Sequence, residues 1–343
     1  MLYSNLIRPL LFKLPAETAH DITIRQLELL QNSFMGRGLI KLLSGHVESN
    51  PVQVMGLNFR HPVGLAAGLD KDAKVIRGLF QMGFSHIEVG TLTPKGQPGN
   101  DKPRLFRLKE DHALINRMGF NNEGSIAASR RLRKRDPNWG VVGGNVGRNK
   151  ITNNENAIDD YIASMSHLRD YVDYFTVNIS SPNTPGLREL QQEEVLKNLL
   201  TRISDDNSKS FKPRPLAVKI SPDLSKREVQ SISRLAVTCG FNGIIGTNTT
   251  VNRIGLKTKA NRIKDAGSGG LSGRPLARHS TDVVAWIKEA VGDSAAVIGV
   301  GGVFNAQDVI DKRNAGADLV QIYSGFVYNG PSMLNNIQEA WIK

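Results

Sequence analysis

The chain has 343 residues, 40% of them hydrophobic and 22% charged, with a formal net charge of +12. That length exceeds a minimal domain and fits one large α/β barrel with an appendage, or two domains. The single cysteine, Cys239, excludes an internal disulfide, a four-cysteine iron–sulfur site and a zinc ribbon, and points to a reducing compartment.

The opening segment is apolar at Leu2, Leu6, Ile7, Leu10, Leu11, Phe12 and Leu14, but Arg8, Pro9 and Lys13 interrupt it and no small-residue cleavage site follows. A secretory signal is therefore not expected, and no run of 18 apolar residues occurs to span a bilayer. Residues 1–45 read as short amphipathic helices set before the barrel, with Leu27 and Leu30, then Leu39, Ile40, Leu42 and Leu43, on their apolar faces. Residues 52–59 read as a small hairpin turning at Gly56 and plugging the N-terminal end of the barrel.

Eight short apolar runs follow, beginning near Val63, His86, Val141, Tyr174, Pro215, Gly243, Val297 and Leu319. The intervals between them carry helical periodicity, as at Val75, Leu79, Met82 and at Ile232, Leu235, Ala236. Eight alternations of strand and helix predict a closed (β/α)8 TIM barrel over residues 46–343 rather than an open doubly wound sheet. The C-terminal ends of the runs are rich in Gly, Asn, Thr, Lys and Ser, and that face of a barrel carries its chemistry. The densest basic run, Arg130, Arg131, Arg133, Lys134 and Arg135, lacks interleaved aromatics and reads as a solvated helix end rather than a nucleic-acid patch. Cys239, before Gly240 at a helix end, reads as a small core residue.

Four features carry chemistry. The segment Asn178 to Gly186, NISSPNTPG, packs amides and hydroxyls after an apolar strand and reads either as a catalytic loop or as an ordinary strand-to-helix turn. Lys71 and Lys219 close two strand regions, where a lysine is costly without an anionic partner. Asn116, Asn145, Asn178, Asn183 and Asn248 offer paired donors and acceptors that suit a planar ring edged with N–H and C=O groups, such as a pyrimidine. Gly299–Gly302 and the YSG of Tyr323–Gly325, after the last two strands, with the GGLSGRP that starts at Gly269, read as a phosphate cradle. Phe304 stands where a dinucleotide fingerprint needs its third glycine. The absence of HExxH and the few acids at strand ends argue against metal hydrolases and paired-carboxylate glycosidases, and no metal is expected.

In this order, AAGLDKD, GNDKPRLFRL, INRMGFNN, NISSPNTPGLR, TNTT, GGLSGRP, GVGG and LVQIYSGF make a chain that resembles class 2 dihydroorotate dehydrogenase over essentially its whole length. The resemblance implies a flavin enzyme of pyrimidine biosynthesis that oxidises dihydroorotate to orotate and passes electrons to a membrane quinone. It implies one non-covalent FMN against Ala67, Gly68, Leu69, Asp70, Lys71, Thr91, Asn145, Asn178, Lys219, Thr247, Gly270, Gly302, Tyr323 and Ser324. Substrate would meet Lys71, Asn116, Arg117, Met118, Gly119, Phe120, Asn178, Asn183, Asn248 and Thr249, with Ser181 as the base. The soluble class 1 enzymes look similar but use cysteine there. By the same resemblance His20, Arg107 and Tyr323 mark the quinone end, and the N-terminal helices rest on anionic lipid, peripherally, on the cytoplasmic side of the cell membrane. No nucleic acid and no protein partner is implied. Rival readings are another FMN barrel oxidoreductase, including a tRNA dihydrouridine synthase, and a non-enzymatic module that binds anionic surfaces.

Overall fold

A computed structural model describes residues 2–45 and 47–341; Met1, Ile342, Lys343 and His46, where the barrel region was expected to begin, lie outside it. The eight expected runs are the barrel strands: β3 (Val63–Leu65), β4 (His86–Leu92), β7 (Val141–Val146), β8 (Tyr174–Asn178), β9 (Leu216–Ile220), β10 (Gly243–Gly246), β12 (Ala296–Val300) and β13 (Leu319–Ile322). They pair in parallel in chain order, and β13 returns to β3 to close the sheet. Because the strands are covered on both faces, nearly every residue in them is buried, which is why they read as continuous apolar runs instead of alternating ones.

The hairpin is present as β1 (Val52–Val54) and β2 (Leu57–Phe59), antiparallel, with Val52 opposite Phe59. Its Val54 and Phe59 pack with Tyr174, Ala217, Ile245, Ile298 and Leu319 from inside the barrel, so it stoppers the N-terminal end as expected. The crossover helices follow their periodicity. Helix Lys226–Thr238 opens on a capping box between Ser225 and Glu228 and turns Val229, Ile232, Ser233 and Ala236 inward.

Two expectations need correction. Stretches outside the eight expected strands supply a second, antiparallel sheet, β5 (Leu105–Leu108), β6 (Ala113–Asn116) and β11 (Gly270–Gly273), with Asn116 opposite both Leu105 and Gly270. Each strand is four residues long and β11 joins β6 across more than 150 residues of chain, so no local pattern announces the pairing. The basic run is also not wholly solvated. Arg135 is half-buried, pairs with Asp173 at 2.6 Å and donates to the Gly140 carbonyl, while Arg131 pairs with Glu123.

The N-terminal region is more substantial than short helices suggest. Helix Ala16–Asn32 spans 17 residues and helix Phe34–Ser44 spans 11, the second capped by Ser33, whose hydroxyl accepts from the Gly36 N–H. Leu27 lies where a Cβ on Gly78 would stand 2.7 Å from its Cδ1, and Ile40 is buried in the same apolar core as the barrel helices. Gln31 accepts from the Gly78 N–H and donates to the Lys74 carbonyl. No helix among the described residues is long and apolar enough to cross a membrane.

Candidate active site

A cavity opens at the C-terminal ends of the strands. Ala67 and Gly68 after β3, Thr91 on β4, Asn178 on β8, Lys219 on β9, Thr247 after β10, Gly301 and Gly302 after β12, and Tyr323 and Ser324 after β13 all line it. The antiparallel sheet walls one side through Leu105, Leu114, Asn116 and Ser272. His20 of the N-terminal helix reaches the same space. Barrel strands that stop in register deliver their last side chains to one place, which is why residues scattered from Ala67 to Ser324 converge.

The asparagines form a wired set. Asn248 donates to Asn178 Oδ1 at 3.3 Å and to Ser180 Oγ at 3.0 Å, and Asn178 donates to Thr91 Oγ1 at 2.9 Å and to Asn145 Oδ1 at 3.2 Å. Asn145 does not reach the cavity; it stands behind Thr91 and Asn178 and donates onward to Glu88 Oε1 at 2.7 Å. On the opposite wall Asn183 donates to Asn116 Oδ1 at 2.9 Å, while Asn183 Oδ1 is buried with no protein partner among the described residues. That leaves an acceptor facing a ligand N–H. Ser181 is buried at the cavity edge and its Oγ accepts from the Asn183 N–H at 3.3 Å.

Both predicted lysines face this cavity, and neither ammonium hydrogen-bonds to a described residue. Burial holds the Lys71 amine below its ordinary range, with Asp72, Glu17 and Asp21 opposing the shift. Burial likewise lowers Lys219, opposed by Glu88, whose Oε1 lies 3.9 Å from Lys219 Nζ. Lys71, which has no ion pair among the described residues, calls for an anionic ligand. His20 stays neutral, pushed down to about 3 by burial and by Lys71, and burial pushes the Tyr323 hydroxyl up to about 12.

Several expected site residues stand elsewhere. The Asp70 carboxylate is buried and accepts from the N–H groups of Lys74 and Val75, holding the loop ahead of helix Ile76–Gln81, and Leu69 packs on the core. Arg117 turns out to the Pro103 carbonyl and the Phe106 ring, Gly270 is paired within the antiparallel sheet, and Arg107 lies over the Phe12 ring and donates to the Leu14 carbonyl. Met118, Gly119, Phe120, Asn248 and Thr249 do line the cavity. Sequence reasoning missed Glu88 and Gln321, both fully buried polar residues inside barrel strands. A lone acid in HIEVGT and a lone amide in LVQIYSG were the available signals, because a strand covered on both faces has no solvent side for them.

The sequence profile of dihydroorotate dehydrogenase matches residues 50–342. The chain belongs to that family. It is 47% identical over 98% of both chains to the dihydroorotate dehydrogenase (quinone) of Christiangramia forsetii. It is 48% identical to that of Myxococcus xanthus over 97% of this chain and 91% of the relative. Among solved structures, the family's enzyme from Eimeria tenella in complex with ferulenol superposes with a TM-score of 0.81 at 34% identity, covering 95% of this chain and 90% of the other. The ligand-free form gives 0.80 at 35% identity over 90% and 93%. The family's barrel and the cavity at its mouth therefore describe the same molecule from two directions.

Proposed function

We propose that the chain oxidises dihydroorotate to orotate with one non-covalent FMN and hands the electrons to a membrane quinone. The observation that carries this reading is the pair of buried lysines, Lys71 with no ion pair among the described residues and Lys219 with only Glu88 at 3.9 Å, lining one cavity with Ser181 and the asparagine set. The donor set fits a flavin mononucleotide. Backbone at Gly301, Gly302, Ser324 and Gly325 offers amides to a phosphate, and Lys219, Thr91 and Asn178 offer polar contacts to a ring system. When bound, FMN supplies the acceptor for hydride from the substrate ring.

The chain's own residues would do the rest. Lys71 pairs with the substrate carboxylate, and Asn116, Asn178, Asn183 and Asn248 present amides to its ring edge. Ser181 Oγ takes the ring proton, and because no carboxylate or imidazole hydrogen-bonds to it among the described residues, that proton leaves through water. Its segment is tied across the cavity. Asn100 donates to the Asn183 carbonyl at 3.0 Å and Arg188 donates to the carbonyls of Ser180 and Thr249 at 3.1 Å each, which shields the reacting atoms from solvent. The chain's only cysteine, Cys239, lies outside the cavity at the end of helix Lys226–Thr238, so the cysteine base of the soluble enzymes has no counterpart here.

In this reading residues 1–45 work as a membrane and quinone element and residues 46–343 as the barrel. Quinone would reach Tyr323 past His20, with Arg107 farther out beside Phe12. The exposed apolar side chains of the helices and the +12 charge suit the anionic, cytoplasmic side of the cell membrane, where the protein would sit peripherally. The test is direct. The purified protein should be yellow, release FMN on heating, and bleach anaerobically on addition of dihydroorotate. Protein that takes up no flavin from excess FMN, or flavin that dihydroorotate leaves oxidised, overturns the reading.

A further inference from the structure

Among the described residues Glu88 is the one carboxylate inside the barrel beside the cavity, fully buried at mid-strand in β4. Four neutral groups donate to it: Asn145 Nδ2 at 2.7 Å, Thr176 Oγ1 at 3.0 Å, Gln321 Nε2 at 3.1 Å and the Tyr174 hydroxyl at 3.3 Å. Those donors come from β7, β8 and β13, and Lys219 Nζ approaches from β9 at 3.9 Å. A carboxylate with four donors is fixed in place. The lysine is arranged differently. At 3.9 Å it feels the carboxylate's charge without spending a hydrogen bond on it, so its N–H groups stay free for the cavity. Packing alone does not account for this, since apolar residues would fill the barrel without the cost of burying two ions.

We propose that Glu88 is a positioning residue for Lys219, supplying the counter-charge that keeps the ammonium aimed into the cavity and thereby setting how readily the bound flavin is reduced. The proposal rests on the flavin reading above. Among the donors to the carboxylate Tyr174 is the titratable one, and burial and the Glu88 charge both push its hydroxyl far up, so it stays protonated. His86, two residues earlier on β4, is held neutral at about 3 by burial. Glu88 is also the one charge acting on Lys219. In the native protein the pair is neutral as a whole. Replacing Glu88 by Gln leaves the Lys219 charge uncompensated, which favours the more negative, reduced flavin, and lets the lysine lose its proton at lower pH than in the native protein.

The experiment is a redox titration of flavin-loaded protein across neutral to alkaline pH, read by flavin absorbance. Glu88→Gln should shift the reduced-to-oxidised ratio toward reduced by about tenfold at the lower pH, about 30 mV for a two-electron couple, and lose that shift as pH rises. Lys219→Met should shift it the other way, and the double variant should lose the pH-dependent step. A Glu88→Gln protein that holds flavin and tracks the native potential at every pH overturns the proposal. Should Glu88→Gln fail to fold, the reciprocal variant decides, because a native potential in Lys219→Met removes the lysine from the effect altogether. Native protein that carries no flavin would instead sink the flavin reading itself.

Discussion

Glu88, Asn145, Asn178 and Lys219 at the barrel mouth are polar and buried, whereas Leu29, Phe34, Met35 and Leu42 on the N-terminal helices are apolar and exposed. The two regions depart from ordinary burial in opposite directions. At the mouth the polar groups largely satisfy one another, while among the described residues Lys71 Nζ, Asn183 Oδ1 and Gln321 Oε1 have no partner and Lys219 has only Glu88 at 3.9 Å, so the missing partner is a ligand. On the helices one face is anchored through Leu27 and Ile40 in the barrel's own core, while the other carries much of the molecule's exposed apolar surface. Ten of the sixteen large hydrophobic side chains exposed among the described residues fall between Leu2 and Leu42. That surface calls for an apolar partner, as the mouth calls for an anionic one.

The largest effect that would break this contrast lies at the mouth. Ser181→Ala should keep flavin and orotate binding, which rest on other groups, and lose ~10²-fold or more of dihydroorotate-driven flavin reduction, the usual scale of a general base. Stopped-flow reduction at the native rate would remove Ser181 from the chemistry. Next come the amides of the wall. Asn116→Ala and Asn183→Ala should each weaken orotate binding by roughly 1–3 kcal/mol, because a polar ring edge loses its partner in a dry site. The two side chains hydrogen-bond to each other at 2.9 Å, so the double variant should cost less than the sum. Unchanged orotate dissociation constants, followed by the flavin spectrum, would put the ring elsewhere.

How much of this was legible in the sequence depends on whether a signal is local. The barrel strands were, because continuous apolar runs separated by helical periods need no distant partner to be recognised, and the glycine, asparagine and lysine at their ends lie within the same local runs. The β5–β6–β11 sheet was not, since Gly270 finds Asn116 only after the barrel has brought them together. Asp70 and Arg117 sit inside recognisable motifs yet turn away from the cavity, and a motif names a residue without giving its direction. Glu88 was hidden for the converse reason: it lies at mid-strand, not at a strand end, and its role is set by groups on four other strands.

The helix surface should yield to a smaller change. Deleting residues 1–45 would also strip Leu27 and Ile40 from the shared core, so point variants test the surface more cleanly. Met35 and Leu42, seven residues apart on one face of helix Phe34–Ser44, are 85% and 77% exposed. Met35→Ser with Leu42→Ser should leave the melting temperature and the anaerobic flavin bleaching unchanged. Partial burial of two such side chains in lipid predicts about a tenfold loss of partitioning onto anionic vesicles. It also predicts a higher KM for a long-tailed quinone, with little effect on a small soluble acceptor. Native vesicle binding in this variant would return the helices to a packing role.

The smallest effect concerns the joint between the two regions. Glu17, in the first turn of helix Ala16–Asn32, accepts from Arg104 Nη2 at 2.8 Å and from Nε at 3.1 Å, and Arg104 donates in turn to the carbonyls of Pro98 and Asn100. Burial alone would raise the Glu17 carboxyl, but the Arg104 and Lys102 contacts outweigh it and hold the group below its ordinary 4.5. A carboxyl lowered on folding adds stability above its unfolded pKa and loses it as pH falls through the folded one. Glu17→Gln keeps an acceptor oxygen and removes only the charge, so it should cost about 1 kcal/mol at neutral pH. The gap between native and variant denaturation midpoints should close as the solution is acidified through the folded-state pKa. A gap that persists at acid pH would mean that the side chain's shape, and not its charge, ties the helices to the mouth.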